Sequence, residues 1–385
     1  MPGAAGPGLE GAVRPAHSKG SRNFSDRLEL PRFILKTMTI DWRKHLNTLG
    51  PLGGLIFVVV IFSLLLGWKD VLDHREFSGV EGQGFFAAAR ETEFFGLKAF
   101  LGGANGKIIL TQTVIVALGA LGMTLIIVSG GIDLSAGSVV ALCSVVGARL
   151  LNTDCPTVGV VLIAIAAGGL VGLVNGTVIT GLRLLPFIVT LGMMTIARGT
   201  AKWLGGNQTV NYPETPLLNL MALKEPNSFL PLPPGVWIVA VLAVLTALLL
   251  RNTVFGRYVF AIGSNESTAR LCGIRVRGMK IAIYSLAGLF FGLAGLMQMS
   301  RLAQGDPTVA LGLELDIIAA VVIGGASLSG GVGSVAGSMV GALIMTTLRS
   351  GSQLMGWPNY FQEIIIGAVI VLAVALDRLR HQPTK

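Results

Sequence analysis

Long apolar stretches separated by short polar ones run through most of the chain. A bilayer core of about 30 Å takes about 20 apolar residues per helix. On that measure the candidate spans are 51–68, 108–128, 138–151, 158–182, 186–202, 236–250, 279–302, 315–323, 335–348 and 361–376. About ten transmembrane helices predict an all-α, polytopic membrane protein. The third and eighth stretches, 138–151 and 315–323, are short and each adjoins a Gly pair. These two are expected to be broken or re-entrant.

The Gly pairs sit in matching phrases. "GGIDLSAGSV" runs from Gly130 and "GGASLSGGVGSV" from Gly324. Each follows an apolar helix and precedes a helix of small residues. Duplicated halves with Gly-interrupted helices are a common transporter plan. Gly130, Gly131, Gly324 and Gly325 are therefore read as structural breaks in a pseudo-repeat. Asp133 falls inside the first break. A carboxylate costs at least about 2.5 kcal/mol at a helix centre in lipid. At a break it can accept backbone N–H groups from the helix start at 135–138, where the helix dipole favours negative charge. Capping is the main reading of Asp133, ahead of lining a path and, last, of a proton relay. In the second phrase Ser327 takes the matching place.

Charge sets the expected orientation. The first 48 residues are polar and basic, and the 251–280 loop carries six Lys or Arg against one acid, Glu266. Positive loops stay on the cytoplasmic side. An even number of spans then places both termini in the cytoplasm. The expected organisation is a tail over 1–48, one transmembrane domain over 49–378 with an external insertion at 69–107, and a tail over 379–385. The net charge of +9 is accounted for by tails and loop, so no nucleic acid is implied.

Catalytic chemistry is missing from the pattern. "GGANGKI" at 102–108 lacks the first Gly and the Ser/Thr of a phosphate loop. The four His lie in tails or loops, and the three Cys have no metal spacing. No metal site, resident cofactor or enzyme activity is expected. Transport must then draw on an ion gradient or on a partner's ATP. The basic loop offers a clue. Ser264 or Asn265 can cap a helix of about two turns that stops at Gly273. A helix that short is marginal alone and would be stabilised by docking on another protein.

The loop phrase "GRYVFAIGSNESTARLCGIRV" resembles the cytoplasmic coupling loop of the sugar-type ABC importer permeases. So do "GMTLIIVSGGIDLSAGSVVAL", "VNGTVITGLRLLPFIVTLGMMTIARG" and "ELDIIAAVVIGGASLSGGVGSVAGSMVGALI". The resemblance covers roughly 119–376. It implies a permease in the bacterial inner membrane, paired with a second copy or a paralogue. It also implies a cytosolic ABC ATPase holding the ATP and Mg, and a periplasmic sugar-binding protein. The coupling residues would be Arg257, Ser264, Asn265, Glu266, Ala269, Arg270, Gly273 and Ile274. The cargo implied is a monosaccharide of the pentose or hexose class. Asn175, Phe187, Thr190, Thr195 and Gln298 are candidates for its path, each equally suited to a helix–helix hydrogen bond. The 69–107 insertion departs from the family, and its "FFAAARETEFFGLKAFL" has the spacing of an amphipathic helix. Two rivals remain: a branched-chain amino-acid or nucleoside permease of the related group, and an ion-coupled transporter. The latter needs a paired ionisable site in the membrane, and Asp133 has no evident basic partner.

Overall fold

The computed structural model describes residues 42–78, 100, 102–223 and 232–380. The compact unit is 44–385. Among the described residues it is built from twelve α-helices and one two-stranded ribbon. Helices α1 (Trp42–Ser78), α2 (Gly103–Val128), α3 (Ala136–Leu151), α4 (Thr157–Leu182), α5 (Pro186–Gly205) and α6 (Pro234–Asn252) come first. The short α7 (Val254–Ser264) and α8 (Glu266–Leu271) follow, then α9 (Val276–Leu302), α10 (Leu313–Ile323), α11 (Val335–Leu354) and α12 (Asn359–Arg380).

Five of these, α1, α2, α4, α6 and α9, are long and apolar enough to cross a bilayer. The remaining predicted spans fail that test. The buried α3 is short because it faces protein instead of lipid, whereas α5 and α12 keep exposed apolar residues such as Ile196 and Ile364. All but three residues of α3 are buried. Helix α10 has 11 residues, about 16 Å at 1.5 Å per residue, roughly half a bilayer core. The first helix departs from its expected 51–68 bounds and begins inside the predicted 1–48 tail. The last one takes in two residues of the predicted C-terminal tail. Most of the predicted 69–107 insertion helix lies outside the described residues. Phe100 is fully buried, its ring 6.0 Å from that of Phe62.

Helix α9 is the centre of the packing. Membrane helices gain no hydrophobic drive from meeting each other, so close backbone approach must supply the contact. Gly168, Gly172 and Gly176 recur every fourth residue on α4 and form one stripe. Gly168 and Gly172 meet Gly288 and Gly292 of α9, and Gly176 meets Ile281 and Tyr284. A Cβ on Gly292 would lie 2.8 Å from the Ile165 carbonyl oxygen, and one on Gly176 would lie 2.7 Å from the Ile281 Cα. Gly295 repeats the arrangement against α3, with a virtual Cβ 2.7 Å from the Val140 oxygen. Hydroxyl pairs add ties across α2 and α11, Thr113 to Thr346 at 2.6 Å and Thr124 to Ser338 at 2.8 Å.

One end of the bundle is closed by the ribbon. β1 (Val210–Asn211) follows α5 and pairs antiparallel with β2 (Gln304–Gly305) after α9. Asn152, just past α3, donates to the Asn211 carbonyl at 2.7 Å. Ser300 accepts from the Met221 N–H and donates to the Leu217 carbonyl at 2.6 Å. Gly235 lies buried in the first turn of α6 against Met221.

The opposite end holds both Gly breaks. Helix α2 stops with Gly130 N–H bonded to the Ile127 oxygen and Gly131 N–H to the Ile126 oxygen, both 2.9 Å. Helix α10 stops with Gly325 N–H on Val322 at 2.9 Å and Ala326 N–H on Val321 at 3.1 Å. The two ends are the same motif, with a left-handed residue satisfying the last carbonyls. Gly130 has φ +80° and Gly325 φ +92°. The equivalent residue of Gly130 is therefore Gly325, one position later than the sequence match suggests. Gly324 keeps φ −65° and is small for another reason: it packs on Gly337 of α11. With that register Ser327 no longer stands opposite Asp133; Leu328 does. The breaks also touch. Gly331 N–H donates to the Val128 oxygen at 2.8 Å. A Cβ on Gly330 would be 2.9 Å from the Gly130 Cα, and one on Gly263, at the end of α7, 2.6 Å from the Gly331 nitrogen.

The α4–α9 seam predicts that Gly288→Val costs about 1–3 kcal/mol through overpacking, because backbone stands in the way. Gly192→Ala on α5, with nothing within 4 Å of the added carbon, should leave stability unchanged. Thermal unfolding midpoints of the detergent-solubilised variants measure both; equal midpoints would remove the seam as the source of packing.

Candidate functional site

Asp133 organises the first break. It is 1% exposed. Its Oδ1 accepts the Ser135 N–H at 2.7 Å and the Ser135 hydroxyl at 2.6 Å. Asn175 of α4 reaches its Oδ2 at 3.4 Å and the Ser135 hydroxyl at 3.1 Å. The bonds thus gather at Ser135, the residue before α3, and do not extend over the 135–138 turn. Thr190 of α5 accepts the Leu134 N–H at 3.2 Å and donates to the Ile132 carbonyl at 3.4 Å. Tyr284, 2% exposed, stands over the loop; a Cβ on Gly131 would lie 2.5 Å from its hydroxyl oxygen. Asn175 and Thr190 are both fully buried. Of these two path candidates, Thr190 spends its hydroxyl on the break loop, while Asn175 holds the loop with its amide nitrogen and leaves its Oδ1 without a partner.

Thr195, Gln298 and Phe187 fall elsewhere. Thr195 lines a cavity of about 340 Å³ with Ser138, Arg198, Lys202, Leu311 and Glu314. Arg198 donates to the Pro307 carbonyl at 3.0 Å and to that of Val309 at 2.5 Å, holding the loop before α10 against α5. Gln298 is 8% exposed and lines a separate cavity with Asp316 and Arg349. Phe187 is half exposed near the start of α5 and lines neither of these cavities. The five candidates do not form one site.

Asp316 was missed by the sequence reading. It lies near the start of α10 and is ion-paired to Arg349 of α11 at 2.6 Å. The signal was present: opposite charges in two apolar stretches satisfy each other or line a cavity. It escapes notice because 33 residues separate the pair. The ionisable pair that an ion-coupled transporter would require thus exists at Asp316–Arg349, not at Asp133.

The loop residues are brought together on one surface feature. Thr253 caps α7, accepting the Gly256 N–H at 3.2 Å. Asn265 caps α8, accepting the Thr268 N–H at 2.9 Å and the Ser267 hydroxyl at 2.8 Å. Gly273, at φ +84°, ends the turn, with Gly273 N–H on Arg270 and Ile274 N–H on Ala269. Ala269 is buried with Ile262 and Val276, with Ile274 packed against them, so it anchors α8 and presents nothing outward. Arg257, Ser264, Asn265 and Arg270 are exposed, and Leu271 is 88% exposed. Leu271 is an outward apolar residue that the cap-and-stop pattern did not single out. Glu266 ties the loop down through Lys280 at 2.6 Å and Arg270 at 3.0 Å. Partial burial raises its carboxyl, but Lys280 and then Arg270 outweigh that, leaving it below the usual range. What Glu266 contributes is therefore present at neutral pH and is lost only as the pH falls through that depressed value.

The Asp133 geometry predicts unequal variants. Asp133→Asn keeps one acceptor for Ser135, and the Asn175 Oδ1, which has no partner, can turn to receive the new amide. It should retain most transport. Asp133→Leu leaves buried donors unpaired at about 1–3 kcal/mol and should lower membrane yield. A transport-dead Asn variant at normal yield would show that the charge itself acts in the path.

Residues 107–374 match the model of the branched-chain amino acid transport system / permease component family. The ribose import permease protein RbsC of Escherichia coli (strain K12) is 40% identical over 273 residues, 71% of this chain and 85% of that protein. The L-arabinose ABC transporter permease protein AraH of Azospirillum brasilense is 37% identical over 282 residues, covering 73% and 82%. The galactose/methyl galactoside import permease protein MglC of Haemophilus influenzae is 36% identical over 302 residues, covering 74% and 90%. No solved structure matches the chain. Matched from before the first Gly break through the capped loop helix and into the last helix, the chain belongs to this family of ABC-importer permease components, the non-catalytic, multi-pass membrane part of such importers.

Proposed function

We propose that this chain is the permease of an ATP-driven importer that passes a pentose or hexose from a periplasmic binding protein into the bacterial cytoplasm. The observation that carries the reading is the 36–40% identity, over most of both chains, to permeases named for ribose, arabinose and galactose. The loop geometry supports it. Helix α8 is capped, stopped and anchored from beneath, and its outward face offers Asn265, Ser267, Arg270 and Leu271 to a partner. An ABC ATPase would sit there, holding the ATP and Mg that drive transport.

Ten of the twelve described helices would make up the crossings, α10 only together with the loop before it because it covers about half a bilayer core by itself; α7 and α8 are the exceptions. With the basic loop inside, both ends of the chain then face the cytoplasm, and the ribbon end faces the binding protein. The membrane-exposed apolar sides of α4 and α5, including Leu162, Leu170, Ile188 and Ile196, are available to lipid and to a second permease copy.

Reconstitution with the ATPase and binding protein tests the function: ATP-dependent uptake of D-ribose, L-arabinose or D-galactose is expected. Uptake of leucine in place of all three would move the chain to the amino-acid branch. Glu266→Lys sets a third cation beside Lys280 and Arg270, and should cut uptake about tenfold, the factor for about 1.4 kcal/mol of lost docking. The permease should still reach the membrane. Normal uptake at normal assembly would reduce α8 to a tether. A reporter fused after Lys385 should be active only in a cytoplasm-sensing form.

A further inference from the structure

Beside the last turn of α9 a second polar cavity, of about 210 Å³, opens between α2, α9, α10 and α11. Gln112, Gln298, Arg301, Asp316, Arg349 and Gln353 supply its polar wall. Arg301 and Gln353 are exposed at its rim, while Asp316 is 2% exposed and Gln298 8%. Asp316 Oδ2 pairs with Arg349 Nη2 at 2.6 Å. The other oxygen, Oδ1, has no hydrogen-bond partner, and neither does the buried Nε of Arg349. An ion pair kept only for packing would close both, because Arg and a carboxylate match as a two-bond fork. This one leaves an acceptor and a donor open, and both residues line the cavity.

The open groups select a ligand class. Asp316 Oδ1 takes a proton donor. Arg349 Nε and the Arg301 guanidinium offer donors, and the three Gln amides offer both. A cation would meet two guanidinium groups, and an anion would meet the Asp316 carboxylate. An apolar molecule would leave every polar group unpaired, which burial penalises. A neutral molecule carrying several hydroxyls satisfies all of them, since each hydroxyl donates and accepts at once. Leu311, 71% exposed, lines this cavity and the Thr195 cavity alike. The loop that Arg198 holds therefore places one side chain against both cavities.

We propose that the Asp316 chamber is a binding site for a neutral, hydroxyl-rich molecule, Asp316 accepting and Arg349 donating to adjacent hydroxyls; on the functional reading above, it is a stop for the sugar inside each permease subunit. The test uses the full importer in proteoliposomes, with Leu313→Cys in the chamber wall and Cys155 and Cys272 replaced by Ser. D-ribose, L-arabinose and D-galactose are the probes, and the rate of modification by a small methanethiosulfonate is read. At least one sugar should slow labelling, and a trisaccharide too large for the chamber should not. Asp316→Asn and, separately, Gln298→Leu should each raise the half-protecting sugar concentration, Asp316→Asn by roughly tenfold, as expected for losing one hydrogen bond to a charged group. The Gln298 variant keeps the ion pair and so stays informative if Asp316→Asn fails to fold. An importer that takes up sugar while labelling at 313 ignores every probe overturns the chamber proposal alone. So does protection that neither variant shifts. An importer that takes up no sugar overturns the functional reading; protection at 313 in that same preparation would still uphold a polyol site.

Discussion

Every buried carbonyl and N–H at membrane depth must find its partner inside the protein, because lipid offers none. Helices meet that demand along their length. Three of the described places where this chain abandons the helix are built to meet it otherwise. In the first break, Asp133 accepts the Ser135 N–H, and Thr190 accepts the Leu134 N–H and donates to the Ile132 carbonyl. Before α10, the Arg198 guanidinium gathers the carbonyls of Pro307 and Val309. At the second break, the Val128 oxygen at the end of α2 receives Gly331. Each irregular segment thus leans on a neighbour's side chain or backbone, and the neighbours are fixed in turn by the glycine seams around α9.

The architecture was legible where composition is one-dimensional. Spans, the Gly breaks and the capped loop helix follow from apolar run length, from Gly next to a helix end, and from Asn265 and Gly273 at the right distance. What was not legible depends on which residues face each other. Asn175 and Thr190 read as path residues because a lone polar group in an apolar helix looks the same whether it binds cargo or braces a loop. The register of the repeat was read one residue early. The letters match at Gly324, but the left-handed turn falls on Gly325, and a helix end is defined by its torsions. Asp316 and Arg349 are far apart in sequence, and no local pattern pairs them.

The packing of α4 on α9 and the polar chambers are two sides of one solution. Glycine stripes bring backbones so close that no side chain fits between them, which leaves the longer polar side chains of α9, α10 and α11 to collect on the remaining faces. Gln298 and Gly295 sit one turn apart on α9, one facing a chamber and the other a helix. Tight seam and open cavity therefore come from the same run of small residues.

The meeting of Gly263 with Gly330, Gly331 and the end of α2 carries a further consequence. Side-chain joints have torsions that can rotate and absorb a push. A joint made of main chain alone has no such slack. Gly263 stands against the Val128 carbonyl on one side and Gly331 on the other, so a displacement at the end of α7 would press on both chain reversals at once. The joint carries no formal charge, so its stiffness does not change with ionic strength.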